Sequence, residues 1–523
     1  YNFGGPEPET PYPLPAETEL SFPYAAGGHW DNTRRLRNSA RDGLLPWVVV
    51  GSVAPRRLAY AHEFAWDRDH DPVWGRLKKI YKMYDVSDHL AAAYGTGTLF
   101  GKPEGTGCAN IGAYHRKTLY PVFKDWFGMT PPEKEVQQRR PAEELLCLTP
   151  KALAEFRPRP VVELAAEAGA RRVEAARKRL AGMKPEQQRE ALRRDWAILL
   201  GNVEPKADPK VVSHEKQRAG AVQIDRIVLR VEPDIVVPLL LLVPRKDKEA
   251  RVPVVVGIAQ EGKQGFLKNR ADEVARLIEG GVAVCLPDLR GTGETRSAGD
   301  LRGRSAGFLK EVQRTGSGTL LACEEQMLGQ TLLGSRLRDV RSILRYLRTR
   351  TDLDTRRLAL WGESFAPVNP KDRNLAVPLD AEKFPDSAEP LGGLLALFGA
   401  LFEEDVRAVH AGGGLVGYHS ILRSPFCYVP HDALVPNALT AGDLCDVAAA
   451  LAPRGLCLEA WVDGQNRVVS AAELTEHFAP ARQAYETGGA SKKLVLDVER
   501  KAGRAVRWLL EAVRRERGDK KPG

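Results

Sequence analysis

Residues 358–366, LALWGESFA, decide the fold class. Leu358–Trp361 is an apolar, strand-forming run that leads directly into Gly362-Glu363-Ser364-Phe365-Ala366. A serine on a sharp turn after a strand is lifted out of the sheet, and small flanking residues prevent backbone clashes there. The pattern therefore predicts a nucleophile position at Ser364. The alternative interpretation is that Ser364 is an ordinary turn residue.

The segment after this serine departs from the simplest form of the motif. Ala366 stands where a second glycine is usual, and Pro367 and Pro370 follow at once. Proline disfavours a helix at these positions, so the next helix is predicted only from about Leu391. The sequence thus predicts an insertion between the serine and its following helix.

Residues 222–514 alternate predicted strands with predicted helices. Val252–Ile258 is continuously apolar, as expected of a strand buried on both faces. Alternating units of this kind build a doubly wound, mostly parallel sheet, which gives an α/β fold class. The other predicted strands are 235–243, 282–286, 357–361, 406–410, 456–461 and 493–498, and the helices are 271–279, 330–348, 391–402 and 503–514.

The chain before residue 222 has a different character. Residues 130–221 contain two amphipathic helical patterns and few β-branched runs, so they are predicted to form a helical connector. Residues 1–129 are predicted to be a partial first domain, and 515–523 a disordered tail. An internal echo supports tandem related domains: Ala54-Pro55-Arg56 and Ala452-Pro453-Arg454 each precede an apolar run and acidic residues.

Composition excludes several classes of protein. The net charge of +9 comes from 77 basic and 68 acidic residues spread along the chain, without a basic stripe carrying aromatics, so nucleic acid is not a predicted partner. The seven cysteines form no CxxC pair, so neither a disulfide framework nor a metal site is predicted. No apolar run approaches the ~18 residues of a membrane span. The chain starts at Tyr1, which is compatible with a start inside a longer protein.

A hydrolytic serine needs partners. The oxyanion donors are predicted to be the N–H of Phe365 and an N–H from the loop Gln260-Glu261-Gly262, with Gln260 as the candidate residue. The acid is predicted at Asp463, which follows a late strand; the alternative is an ordinary Asp-Gly turn with Gly464.

The predicted base is missing. A histidine is expected after the last strand, beyond Val498, but no histidine follows His477. Without a base the serine hydroxyl stays protonated and is a poor nucleophile. The remaining candidates in this half of the chain all precede the expected position; they are His410, His419, His431 and His477.

Taken together, the motifs of residues 222–510 resemble the serine α/β-hydrolases grouped with acetylxylan esterases and dienelactone hydrolases. Residues 1–128 resemble the C-terminal half of a second such domain of acetylxylan- or glucuronoyl-esterase type. That resemblance implies substrate-binding roles for Trp30, Arg34, Glu63, Asp67 and His115.

The resemblance implies a carboxylic-ester hydrolase that deacetylates a polysaccharide such as xylan, with Ser364 and Asp463 as catalytic residues. It implies an acylated carbohydrate or small ester as substrate, no metal or organic cofactor, and a periplasmic or extracellular location. The alternative is a catalytically inactive hydrolase-fold protein that binds carbohydrate or a partner domain. A third hypothesis is an incomplete piece of a tandem enzyme whose missing N-terminal portion carries the active site.

Overall fold

A computed structural model describes residues 37–38, 41–44, 46–62, 72–94, 113–134, 140–245, 251–296, 318–377 and 384–514. The chain divides into two compact units. The smaller comprises Tyr1–Pro158 with Gln326–Gly329, and the larger comprises Arg159–Glu325 with Gln330–Gly523. The boundary lies inside the connector predicted over 130–221, so the helices after it belong to the larger unit. The tail predicted over 515–523 lies outside the described residues.

The smaller unit contains a pair of parallel strands. Its described helices and strands are, in order, α1 (Pro46–Gly51), β1 (Leu58–His62), α2 (Pro72–Met83), β2 (Leu90–Tyr94), α3 (Ala113–Phe127) and α4 (Pro150–Phe156). Strand β1 pairs with β2 in parallel register, Leu58 opposite Leu90. Tyr60 and Trp74 stack with ring centroids 6.2 Å apart and form part of a small apolar core.

The larger unit begins with two helices and an antiparallel hairpin and continues as alternating strands and helices. Its described elements are α5 (Val161–Leu180), α6 (Pro185–Leu200), β3 (Lys210–Ala219), β4 (Val222–Glu232), β5 (Ile235–Pro244), β6 (Val252–Ala259), α7 (Gly262–Glu279), β7 (Ala283–Pro287), α8 (Thr319–Met327, divided between the units), α9 (Leu332–Thr349), β8 (Leu353–Glu363), α10 (Leu391–Phe402), β9 (Val406–Gly412), α11 (Tyr418–Ile421), α12 (Leu444–Ala450), β10 (Gly455–Glu459), α13 (Ala471–His477), α14 (Ala479–Thr487), β11 (Leu494–Asp497) and α15 (Arg504–Ala512).

In the described part of this unit, nine strands form one sheet in the order β11-β10-β9-β8-β6-β7-β5-β4-β3. The pairs from β7 to β11 are parallel, whereas β3, β4 and β5 form an antiparallel edge that joins β7. The predicted mixed α/β architecture with a large, mostly parallel sheet is therefore confirmed.

Helices cover both faces of the sheet. Along β6, Val254 and Val256 belong to the core shared with α6, α9 and α10, while Val255 belongs to the core shared with α7 and α15. Burial on both faces explains why this strand is continuously apolar. Helix α10 agrees with its predicted bounds, and β3 extends the sheet into the segment that was predicted as connector.

The internal echo seen in the sequence has a structural counterpart. The smaller unit runs α1–β1–α2–β2–α3, with Ala54-Pro55-Arg56 between α1 and β1 and with β1 and β2 paired in parallel. The larger unit repeats this order as α12–β10–α14–β11–α15, with Ala452-Pro453-Arg454 between α12 and β10. Helix α13 is added before α14. The Tyr81 hydroxyl donates to the Arg56 carbonyl at 2.7 Å, and the Tyr485 hydroxyl donates to the Arg454 carbonyl at 2.7 Å. The two segments therefore share this order of elements and this tyrosine contact.

None of the helices in the described ranges is both long and apolar enough to cross a bilayer.

Candidate functional site

The candidate site lies where the strand order reverses. Strand β7 lies on one side of β6 and the later strand β8 on the other, and ligands of open α/β sheets bind outside the carboxyl ends of strands at such a point. Ala259, the last residue of β6, pairs with Glu363, the last residue of β8. Gln260 and Ser364 are the next residues of the two strands, so the topology brings both predicted positions to one edge.

Ser364 continues the line of β8. Its N–H donates to the carbonyl of Gly412 on β9 at 3.0 Å, and the residue is buried, with a relative exposure of 7%. The φ angle of Ser364 does not lie in the positive, left-handed region. No helix follows it directly; α10 starts at Leu391, as the prolines predict. The serine therefore does not lie on a strand-to-helix turn with left-handed backbone.

Gly362 is required by the packing of α10. A Cβ placed on Gly362 would lie 2.2 Å from the carbonyl oxygen of Gly392, the second residue of α10. Gly362, two residues before the serine, thus lets the helix approach β8 despite the long insertion.

The predicted oxyanion donor Phe365 is already hydrogen bonded. Its N–H donates to the Glu389 carboxylate at 3.1 Å. Burial raises the pKa of Glu389, and the hydrogen bond from Phe365 acts in the opposite direction. The second predicted position, Gln260, donates its side-chain amide to Asp432 at 2.7 Å. The Phe365 N–H is therefore held by a carboxylate of the chain itself, whereas the contact at Gln260 involves its side chain and not a backbone N–H of that loop.

Asp463 caps its own loop. One carboxylate oxygen accepts the N–H groups of Gln465 and Arg467, each at 2.9 Å. These contacts are those of a turn that an aspartate stabilises through its side chain. In the same loop Asn466, which is 2% exposed, donates to the carbonyls of Pro367 and Asp386 and so ties the loop to the insertion.

Arg500 follows β11, where a histidine was expected. Its guanidinium donates to the Ser364 carbonyl at 2.8 Å and to the Glu363 carboxylate at 2.8 Å. Glu363 also accepts from Arg270 at 3.1 Å and from the Trp361 indole at 2.8 Å. A guanidinium has no acceptor and stays protonated, so Arg500 cannot take a proton from the serine.

The sequence reasoning did not identify Arg500, Glu363 or Glu389. The sequence contains one feature that points to each of Glu363 and Arg500. Glu363 is an acid directly before the serine, and Arg500 belongs to a basic run after the last strand. Glu389 lies 24 residues after its partner Phe365, across the insertion, and no local pattern connects them.

The described histidines of the larger unit lie in other settings. His410 on β9 contacts Glu459 at 3.1 Å, and His419 contacts the Ala166 carbonyl at 3.1 Å. Burial lowers the pKa of His477 at the end of α13. No hydrogen bond between Ser364 and a histidine occurs in the described ranges. Of the positions predicted in the first domain, His115 is buried in α3 of the smaller unit, while Trp30, Arg34, Glu63 and Asp67 lie outside the described residues.

The Glu389 contact predicts a pH dependence. A carboxyl whose pKa is higher in the folded chain contributes stability at low pH, which is lost as the pH rises through the folded value. We expect Glu389→Gln to gain stability relative to the parent chain as the pH rises from about 4, near the ordinary glutamate pKa. Urea unfolding of the larger unit at several pH values measures this difference.

Glu473 provides a control of opposite sign. Its pKa is lowered, first by the backbone N–H of Ser470, so its contribution is present above the unfolded pKa and lost as the pH falls. Glu473→Gln should therefore lose stability relative to the parent chain as the pH rises. A pH-independent difference for Glu389→Gln would contradict the prediction.

Comparison with known proteins gives remote similarity only. No protein-family model matches the chain, and no curated protein matches it. Solved structures with a similar arrangement include a candidate acetyl xylan esterase of Bacteroides fragilis, 15% identical, covering 61% of this chain and 77% of that chain with a TM-score of 0.45. A CE15 glucuronoyl esterase of Teredinibacter turnerae is 12% identical, with coverages of 60% and 79% and a TM-score of 0.37.

Acetyl xylan esterase 1 of Thermoanaerobacterium is 13% identical, with coverages of 63% of this chain and 99% of that chain and a TM-score of 0.36. These neighbours are esterases by name. With sequence identities and TM-scores this low, the similarity extends only to the general arrangement of strands and helices. The function of this chain therefore has to be argued from its own residues.

Proposed function

We propose that the larger unit is a hydrolase-fold domain that binds an acylated carbohydrate without hydrolysing it. The observation that carries this proposal is the contact of Arg500 with the Ser364 carbonyl at 2.8 Å, at the position after β11 where a general base would be needed. Acyl transfer through a serine requires a group that accepts the hydroxyl proton. A guanidinium only donates hydrogen bonds, so the position supports binding rather than proton transfer.

The oxyanion side of the site supports the same proposal. A tetrahedral intermediate needs free N–H donors for its negative oxygen. The Phe365 N–H instead donates to the Glu389 carboxylate at 3.1 Å. When it is ionised, that carboxylate would repel a second negative oxygen. A reacting ester would therefore have to displace Glu389 before the donor became available.

The ligand class follows from the groups at this edge and from the sequence resemblance. Glu261, Arg296 and Glu389 supply carboxylate and guanidinium groups, and Arg296 donates to the Gln260 carbonyl at 3.4 Å. Sugar hydroxyls both donate and accept hydrogen bonds, so they suit a mixed set of this kind. The resemblance of residues 222–510 to acetylxylan esterases favours an acylated sugar over other polar ligands.

A fluorophosphonate probe tests the proposal on the intact chain. We expect no adduct at Ser364 by mass spectrometry, in a chain that circular dichroism finds folded, together with retention of acetylated xylo-oligosaccharides in a binding assay. Ser364→Ala should bind the oligosaccharide as the parent chain does. An adduct at Ser364 would overturn the non-hydrolytic proposal, and the absence of oligosaccharide binding would overturn the ligand.

A carboxylic-ester hydrolase is the second candidate. It is favoured by the place of Ser364 at the point of strand-order reversal and by its hydroxyl, which makes no hydrogen bond within the described ranges. In that case the adduct forms at Ser364 and disappears in Ser364→Ala, while Ser420→Ala, a change at another buried serine, leaves it unchanged. Turnover of acetylated xylan and small aryl esters would then identify the substrate.

A further inference from the structure

A second cluster of chemically active side chains lies next to α15, which contacts it through Trp508 and Arg504. His410 on β9 and Cys457 and Glu459 on β10 each offer a ligand atom, and these atoms all lie within 4.8 Å of one another. The three residues are 1%, 0% and 3% exposed. Buried polar side chains need hydrogen-bond, ionic or metal partners.

Strand pairing places the cluster. His410 and Cys457 are directly opposed in the parallel register of β9 and β10, so their side chains leave the sheet on the same face. Glu459 lies two residues further along β10 and points to that face as well. His410 Nε2 and Glu459 Oε2 lie 3.1 Å apart, so the imidazole and the carboxylate are in direct contact.

The donor set matches zinc. Thiolate, imidazole and carboxylate are its usual ligands, at about 2.3, 2.0–2.1 and 2.0–2.2 Å. Ligand atoms around a tetrahedral zinc ion are therefore roughly 3.3–3.7 Å apart, by the geometry of those bond lengths. The 3.1 Å imidazole–carboxylate contact is close to this spacing. Side-chain shifts of about 1 Å would bring the thiol into range.

One nitrogen of the cluster lacks a hydrogen-bond partner within the described residues. His410 Nδ1 is buried and has no hydrogen-bond partner among the residues that the structure describes. The ring lies between Trp361 and Trp508, with centroids 6.4 and 6.1 Å away, in surroundings that are mostly apolar. Nε2 is the ring nitrogen that faces the cluster, through its contact with Glu459, and Nδ1 is the nitrogen left for a second contact.

The charges around the cluster also fit a dication. A thiolate and a carboxylate together neutralise two positive charges. The Arg504 guanidinium lies 3.0 Å from the Glu459 carboxylate and is itself paired with Asp497 at 2.7 Å. Arg504 would then act as an outer-shell partner that orients Glu459, as such groups commonly do at metal sites.

We propose that His410, Cys457 and Glu459 bind a zinc ion that joins β9 to β10 next to α15. All three ligands are buried, and Glu459 lies in the same row of the sheet as Glu363, next to the Ser364 edge. The ion would take one further ligand to complete its tetrahedral coordination. It would stabilise the part of the sheet that positions Arg500, because β11 and α15 pack against the same strands.

Metal analysis of the full chain tests this proposal. The chain is unfolded and refolded with either Zn²⁺ or Co²⁺, because a buried site fills as the protein folds. We expect one tightly held metal ion per chain, a thiolate-to-cobalt charge-transfer band, and X-ray absorption at the zinc edge that indicates one sulfur ligand with nitrogen and oxygen ligands. A parent chain that refolds without retaining metal would overturn the proposal, whatever the variants do.

Variants identify the ligands. Cys457→Ser and His410→Gln should weaken metal binding by more than the 10–100-fold that outer-shell changes typically cost. Cys285→Ser is the matched control, since Cys285 is a fully buried cysteine on β7 of the same sheet. It should keep both the metal and the charge-transfer band. A cobalt spectrum unchanged in Cys457→Ser would assign the ion to other residues.

Discussion

Trp196→Ala is expected to destabilise the larger unit by about 3–5 kcal/mol, the usual cost of truncating a buried aromatic side chain to alanine. Trp196 on α6 is fully buried, and its ring centroid lies 4.7 Å from that of Phe398 on α10 and 6.0 Å from that of Tyr418. The substitution removes a large apolar surface and leaves a cavity between the helices and the sheet. Amide hydrogen exchange in peptides from β8 and α10 measures the loss for this unit alone.

Two further variants make this prediction specific. Trp196 Nε1 has no hydrogen-bond partner in the described ranges, so Trp196→Phe gives up no hydrogen bond there and should cost less than Trp196→Ala. Ile198→Ala changes a residue on the same helix that is 66% exposed, and should have little effect. Equal losses for Trp196→Ala and Ile198→Ala would contradict the assignment of α6 to the core.

Burial decided how much of the fold could be predicted. Continuous apolar sequence marks Val252–Ile258 and Leu391–Phe402, and the structure forms β6 and α10 there. Strand β3, Lys210–Ala219, is exposed at every residue, so it has no alternation of apolar and polar residues to reveal it. It forms because β4 offers a paired edge, which is a tertiary effect.

The candidate site was predictable only in part. The position of Ser364 after a central strand follows from local pattern, and the lack of a later histidine is a fact of the sequence. That Arg500 binds the Ser364 carbonyl, 136 residues away in sequence, depends on the side-by-side packing of β8, β9, β10 and β11. The proposed zinc site also depends on how the strands pair in the sheet. Spacing along the chain predicted no metal site, whereas strand register brings His410 and Cys457 together.

The ion pair between Arg336 and Asp432 links the core to the candidate site. Arg336 on α9 and Asp432 are 1% and 2% exposed, and their side chains approach to 2.7 Å. Asp432 also accepts the amide of Gln260 at the end of β6, and Arg336 donates to the Arg290 carbonyl at 3.0 Å. Removing either charge therefore leaves the other buried and also releases Gln260 or the Arg290 loop.

We expect Asp432→Leu to cost about 3–5 kcal/mol, because a buried guanidinium is left without its counter-ion. The double variant Arg336→Met with Asp432→Leu should cost clearly less than the sum of the two single changes, since apolar replacement of both partners removes the unpaired charge. Urea unfolding of all four chains completes the double-mutant cycle. Glu174→Ala, which breaks an exposed pair with Lys178 at 2.7 Å, serves as the control and should leave stability unchanged within error. Additive losses across the cycle would mean that the two residues act separately, and the proposed link between α9 and Gln260 would then have to be abandoned.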